Sequence, residues 1–318
     1  MGPTRSTRGT RAAGVLVGYL ADLAWGDPAR GHPVAGFGTA AAALENLSYR
    51  DTRLAGAVHT GVLVAAVGAL GALAQRGARR AGPLGAAAAT GAATWVVLGG
   101  SSLTRTGADM AQLLGRDDLA AARALLPSLC GRDPAALDQV GLIRAALESV
   151  AENTSDAQVA PLLWAAAGGP PAALAYRAIN TLDAMIGHRS PRYARFGWAA
   201  ARLDDLANYA AARLTAALVV ACAPTVGGSA TRAVRAWRRD AAGHPSPNAG
   251  VVEAAFAGAL GVTVGGPTAY RHEVQARPTL GDGPAPAVAD LRRAVRLSRV
   301  VQAVAAALAV AVAYRRRP

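Results

Sequence analysis

Long apolar runs in a chain with few charges to interrupt them limit what this sequence can fold into. Residues 54–74, 81–103 and 297–314 each come close to the ~20 residues an α-helix needs to cross about 30 Å of hydrocarbon. Only 17% of the 318 residues are charged, below the ~25% usual in soluble domains. The expected fold is therefore all-α: one multi-pass membrane helix bundle over residues 1–318, with interfacial amphipathic helices and a polar helical insertion at about 104–157.

Further segments are less regular. Arg5, Arg8 and Arg11 precede GVLVGYLADLAW, which has the charge of a signal peptide but no convincing small-residue cleavage site, so it reads as a retained first span. Next comes DLAWGDPARGHPV, where two Pro-containing turns present Asp22, Asp27 and His32 at the membrane boundary. His59, inside an apolar run, reads as a buried, hydrogen-bonded histidine. Asp133 and Pro134 look like an N-cap with Pro at the first helical position, starting a helix that runs on past residue 147. Residues 158–179 are apolar but broken by GGPP at 168–171, implying a re-entrant hairpin or two half-helices. Residues 206–223 and 251–265 are additional candidate spans. The basic run Arg76, Arg79 and Arg80 belongs in the cytoplasm by the positive-inside rule, and Arg315, Arg316 and Arg317 close the chain. That placement puts the His32 and Glu152 loops outside, away from ATP, so either a segment is re-entrant or the charge rule misleads.

Four polar clusters stand against this apolar frame. In ESVAENTSDAQVAPL, a continuous helix places Glu148, Glu152 and Asp156 on one face, with Ser149 and Asn153 beside them. Stacked like charges repel, so such a face suits a bound cation or a reacting group; the plainer reading is a solvated face ending at Pro161. The other clusters are Asn180, Thr181 and Asp183; Arg202, Asp204, Asp205 and Asn208; and Ser246, Asn248 and Glu253. Singly, Asn180 or Ser246 could cap a helix and Asp204 could pair with Arg202 or Arg213. Four clusters in so charge-poor a chain mark a functional site, because ionisable groups near hydrocarbon are costly.

All 33 basic residues are arginine and the net charge is +13. Schiff-base and P-loop lysine chemistry are thereby excluded. No nucleic-acid module accompanies the charge, which fits anionic lipid and phosphorylated substrates better. Cys130 and Cys222 are too few and too far apart for a disulfide framework or a thiolate metal site.

Taken in order, DLAWGDPARGHPV, ESVAENTSDAQVAPL, AYRAINTLDAMIGHRSPRYARFGWAAARLDDLANYAAARL and HPSPNAGVVEAAFAGALGV resemble the adenosylcobinamide-phosphate synthase family of cobalamin biosynthesis, from about residue 22 to 270. One departure is Arg177, where many members have lysine. The resemblance implies an enzyme of the cell membrane that forms an ATP-dependent amide between aminopropanol, or its phosphate, and a propionate of adenosylcobyric acid. Partners are then the corrinoid, the aminopropanol, the bilayer and other late cobalamin-assembly enzymes, with no nucleic acid. Amide formation needs the carboxylate oxygen made into a leaving group, which calls for magnesium on oxygen ligands and cations near the phosphates. The residues expected to act catalytically are Glu148, Glu152, Asn153, Asp156, Asp183, Asp204 and Asp205, with Glu152 and Asp205 converging on one Mg2+. Asp27, His32, Arg177, Asn180, Arg202, Asn208, Arg213, Ser246, Asn248 and Glu253 are expected to bind substrate, His32 by orienting an amide or phosphate. No Walker motif or kinase glycine loop shows how ATP binds.

Three rival readings compete. A secondary transporter also uses broken helices with intramembrane carboxylates. A magnesium-dependent prenyltransferase would use DDLAN, but ESVAENTSD is a poor second Asp-rich motif. A non-catalytic sensory relative would have little reason to keep all four clusters.

Overall fold

The structure, a computed structural model, describes residues 5–27, 31–188, 190–269 and 274–315; Arg316 and Arg317 lie outside the described residues. The chain forms α1 (Arg5–Trp25), α2 (Pro33–Ser48), α3 (Arg53–Arg80), α4 (Gly82–Val97), α5 (Gly100–Gly115), α6 (Leu119–Leu125), α7 (Gln139–Thr154), α8 (Ala160–Gly168) and α9 (Pro170–Leu182). It continues as α10 (Tyr193–Phe196), α11 (Trp198–Cys222), α12 (Ala230–Asp240), α13 (Ala249–Leu260), the strands β1 (Val264–Ala269) and β2 (Val274–Leu280), and α14 (Val288–Arg315). The fold is all-α apart from that one hairpin. Among the described residues, four stretches are long and apolar enough to cross a membrane: Arg53–Arg80, Gly82–Gly115, Trp198–Val226 and Val288–Arg315. These mark a membrane protein.

The expected spans shift where charge or glycine intervenes. α1 is not among the four, because Arg5, Arg8 and Arg11 occupy its first turns and leave a short apolar remainder. The run at 81–103 is interrupted at Leu98–Gly99 and resumes as α5 as far as Gly115. Residues 251–265 do not span: α13 has 12 residues, about 18 Å of helix, and stops at Gly261 in the left-handed region (φ +74°). Asp133 and Pro134 start only a three-residue 3₁₀ turn, with Asp133 Oδ1 accepting from the Ala135 N–H. α7 begins later, where Asp138 Oδ1 accepts from the Gly141 N–H at 2.7 Å. The GGPP break separates α8 from α9.

The chain divides into two compact units. The first comprises Met1–Gly99, Ala160–Asn208 and Ala306–Pro318. In it α1 packs on α4 through Gly14 and Gly18, one turn apart. A Cβ on either would fall 2.5 Å from the Cβ of Thr90 or Thr94, so only glycine lets the two backbones approach this closely. Ala41, Leu182, Ile186, Phe196 and Ala200 form a core against Phe37 and Tyr49. His59 is buried at 3% exposure, bonds Ser48 Oγ at 3.0 Å and lies against Phe196, as a structural histidine should.

The second unit comprises Gly100–Val159 and Tyr209–Ala305. α13 is buried along its whole length, as only Ala, Gly, Val, Phe and Leu around a single carboxylate would allow. α7 is buried from Gly141 to Ala151 except at Arg144. Thr154 Oγ1 shares a hydrogen bond with Ser298 Oγ at 2.6 Å, and Gln302 donates to Ser298 at 3.0 Å, so α7 and α14 meet through hydroxyls as well as methyls. The hairpin is antiparallel, with Val264 opposite Leu280 and a bulge between Gly265 and Pro267.

Candidate active site

The acidic face of α7 is real at its first two positions and altered at the third. Glu148 and Glu152 lie one α-turn apart, but residues Ser155–Val159 form a π turn that takes Asp156 out of the α-helical stack. Pro161 supplies the reason. It lacks an N–H and its ring crowds the carbonyl four residues back, and widening the preceding turn lets the chain continue as α8 without breaking. A second π turn, Asp183–Gly187, follows α9 and begins on another motif residue. There the Asp183 carboxylate lies against the Gly187 Cα, in space that any side chain would fill. Both wide turns thus carry an acidic motif residue, a placement common at functional sites.

In the second unit Glu148 and Glu253 are buried and matched by nearby partners, while Glu152 and Asp156 are partly buried. Glu148 is 2% exposed; it pairs with Arg132, itself buried, and accepts from the Gly265 N–H at 2.7 Å. Glu253 is also 2% exposed and lies 3.9 Å from His244 Nε2. His244 Nδ1 lies 3.1 Å from the Ser246 backbone nitrogen and 3.2 Å from the Ser246 carbonyl oxygen, and Nε2 has no hydrogen-bond partner among the described residues. Burial pushes the Glu152 carboxyl up, against the pull of Arg277 and Arg132. Burial, together with the charges of Glu148 and Glu152, pushes Glu253 well above the usual carboxyl range. Burial pulls His244 down. The cluster therefore holds three carboxyls of unequal character: Glu148 ion-paired, Glu152 balanced between arginines, and Glu253 disposed to keep its proton.

The other motif residues of this unit take supporting positions. Ser246 Oγ accepts from the Asn248 and Ala249 N–H groups, opening α13. Arg213 donates to Asn248 Oδ1 at 2.7 Å and stacks 3.6 Å over the Tyr209 ring. Asn153 donates back to Ser149 O and Oγ within α7. Among the described residues, no three His, Cys, Asp or Glu side chains form a ready metal cage.

In the first unit, Arg177, Asn180 and Asp204 form a chain of long contacts: Arg177 Nη1 to Asn180 Oδ1 and Asn180 Nδ2 to Asp204 Oδ1, both 3.4 Å. Asp204 thus receives Asn180 in place of the arginine pairing considered from sequence. Arg202, exposed on α11, reaches Asp205 at 3.3 Å. Asn208 is fully buried and accepts from Tyr176 at 2.7 Å. His32 caps α2, its Nδ1 accepting from the Val34 N–H at 3.1 Å while Nε2 faces Asp27 Oδ1 at 3.6 Å. Glu152 and Asp205, expected on one ion, belong to different units.

Sequence reasoning passed over Arg132, Arg277 and His244. His244 opens the HPSPNAG stretch and could have been found there. Arg132 and Arg277 carry no local signal, being two of 33 arginines.

Comparison with known proteins places these residues in a family. The CobD/Cbib protein family matches residues 15–298. The chain is 71% identical over 313 residues to the Cobalamin biosynthesis protein CobD of Mycobacterium tuberculosis, covering 98% of this chain and 99% of that protein. Proteins of the same name from Geobacter metallireducens and Rhodobacter capsulatus are 44% and 43% identical, over 84% and 91% of this chain and 86% and 93% of their own lengths. No solved structure matches. The chain belongs to the CobD/Cbib family, and its role lies in cobalamin biosynthesis.

Proposed function

We propose that the protein is an ATP-dependent amide synthase of the cell membrane, joining (R)-1-amino-2-propanol or its O-phosphate to the propionate side chain of adenosylcobyric acid to give adenosylcobinamide or its phosphate. The supporting observation is the cluster of the buried Glu148, Glu253, Arg132 and His244 with the half-buried Glu152 and Arg277. Fixed charges of both signs away from water suit a reaction that develops charge on phosphate oxygens and consumes an amine. A propionate oxygen bonds to the terminal phosphorus of ATP and ADP leaves. The amine nitrogen then bonds to the acyl carbon, phosphate leaves, and the nitrogen gives up a proton.

Magnesium, when bound, neutralises charge on the phosphate oxygens. It commonly uses one or two carboxylates and completes its shell with water and phosphate, so the donor set here fits without a closed cage. Glu148 is committed to Arg132 and the Gly265 N–H, which leaves Glu152 as the α7 carboxylate for the ion. Within the first unit, Asp205 is the carboxylate proposed as a magnesium ligand. Arg177 in the first unit and Arg213 in the second are cations suited to substrate phosphate or amide groups. His244 Nε2 is the ring nitrogen left to meet whatever group lies beside Glu253.

Protein purified in detergent should convert adenosylcobyric acid, ATP, magnesium and either amine donor to the amide, detected chromatographically. Absence of product with both donors, or ATP-independent corrinoid uptake into proteoliposomes, would overturn this reading.

A further inference from the structure

α14 presents arginine in two ways. Arg293 is absorbed by the fold: it pairs with Asp290 at 2.9 Å and donates to the carbonyls of Val226, Leu260 and Gly227. Arg292, Arg296 and Arg299 recur at helical spacing on another face, are exposed, and pair with no carboxylate among the described residues. Together with Ala108 and Gln112 of α5 and Val295, they line a cavity of about 200 Å³. Like charges one turn apart repel, and nothing in the fold of this unit requires three of them around one hollow. Their position along the helix identifies the counter-charge. From Val300 to Tyr314 no charged side chain occurs, and this stretch carries the helix's membrane-spanning character. The arginines therefore sit where that apolar stretch begins, at the depth of lipid phosphates.

We infer that this cavity binds the phosphate of an anionic lipid headgroup, with Arg292, Arg296 and Arg299 as ion partners and Gln112 as an amide donor. Arginines serving only membrane orientation need lie near a span end, without converging on a hollow. The site uses none of the residues assigned to amide formation.

The test is native mass spectrometry of delipidated full-length protein titrated with phosphatidylglycerol or phosphatidylcholine. The variant is Arg292→Gln/Arg296→Gln/Arg299→Gln, and the control, Arg76→Gln/Arg79→Gln/Arg80→Gln, removes equal charge from the end of α3. Wild type and control should retain phosphatidylglycerol over phosphatidylcholine, and the α14 variant should bind it roughly tenfold or more weakly, since each basic residue at a membrane surface contributes measurably. Equal loss in the control would reduce the effect to diffuse charge. Unchanged binding in the α14 variant would remove the site. Displacement of phosphatidylglycerol from both wild type and control by inorganic phosphate or ATP would reassign the site to a soluble phosphate.

Discussion

The two units treat their motif residues differently. In the second, Glu148 and Glu253 are buried, and Glu148 is answered by a buried arginine and a backbone N–H at 2.7 Å. In the first, Arg177, Asn180, Asp204, Arg202 and Asp205 are linked by contacts of 3.3–3.4 Å on partly open helix faces. Short bonds between buried charges are set before substrate arrives. Long ones on an accessible face have room to shorten when a ligand binds beside them. Under the proposed function, the second unit would act as a preorganised charge cluster and the partly open residues of the first as contacts that adjust on binding.

The largest effect expected from this contrast is on stability. Arg132→Ala leaves Glu148 buried and uncompensated and should destabilise by about 3–5 kcal/mol, the usual scale for breaking a buried pair. It is read as a lower unfolding midpoint in detergent. Arg202→Ala, which removes an exposed partner 65% open to solvent, should leave the midpoint within experimental scatter. Equal losses in the two variants would erase the distinction between the units.

Activity should separate them next. Glu152→Gln keeps shape but removes charge, and should lower amide formation on the order of a hundredfold or more, the scale of a lost catalytic group. It should also hold or raise the unfolding midpoint, because like-charge repulsion with Glu148 is relieved. Asp205→Asn, already shared with Arg202, should cost on the order of tenfold. Turnover within a few-fold of wild type in Glu152→Gln would return the α7 face to a structural role.

Much of this was legible in the sequence. Run length and scarce charge are local properties, so the membrane-spanning helices and the all-α class could be read directly, and spacing alone put Glu148 and Glu152 on one face. What stayed hidden depends on contacts across the chain. Arg132 and Gly265 become the partners of Glu148 only once residues 16 and 117 positions away are folded against it. The π turn at Ser155–Val159 arises from accommodating Pro161, which a fixed 3.6-residue period cannot express. The β-hairpin was missed because residues 251–265 are as apolar as a span, and only Gly261 and Gly265 betray the turn and bulge.

The pH dependence sharpens the contrast further. Burial and two neighbouring carboxylates raise Glu253 above its ordinary 4.5, so the folded protein binds a proton that the unfolded chain releases at lower pH. Stability from this group is complete below about 4.5 and is lost as pH rises through the raised value. Wild type should therefore lose midpoint with rising pH, and Glu253→Gln, which cannot ionise, should flatten the profile and gain most at the alkaline end. An unchanged slope in Glu253→Gln would show that Glu253 ionises normally in the fold.

The smallest expected effect concerns how the cluster is aimed. Ser246 Oγ accepts from the Asn248 and Ala249 N–H groups, and the Ser246 N–H in turn fixes His244 Nδ1. Ser246→Ala deletes the helix-opening acceptor but keeps the backbone groups that hold His244 Nδ1. It should cost about 1 kcal/mol of stability, as lost N-caps do, and raise KM for the amine more than it lowers kcat, since His244 and Glu253 keep their chemistry but lose fixed direction. Ser246→Thr retains the hydroxyl and should restore both. A fall in kcat of the size seen in Glu152→Gln, not rescued by threonine, would instead place the Ser246 hydroxyl on the substrate itself, and the buried unit would then share the first unit's habit of completing its contacts on binding.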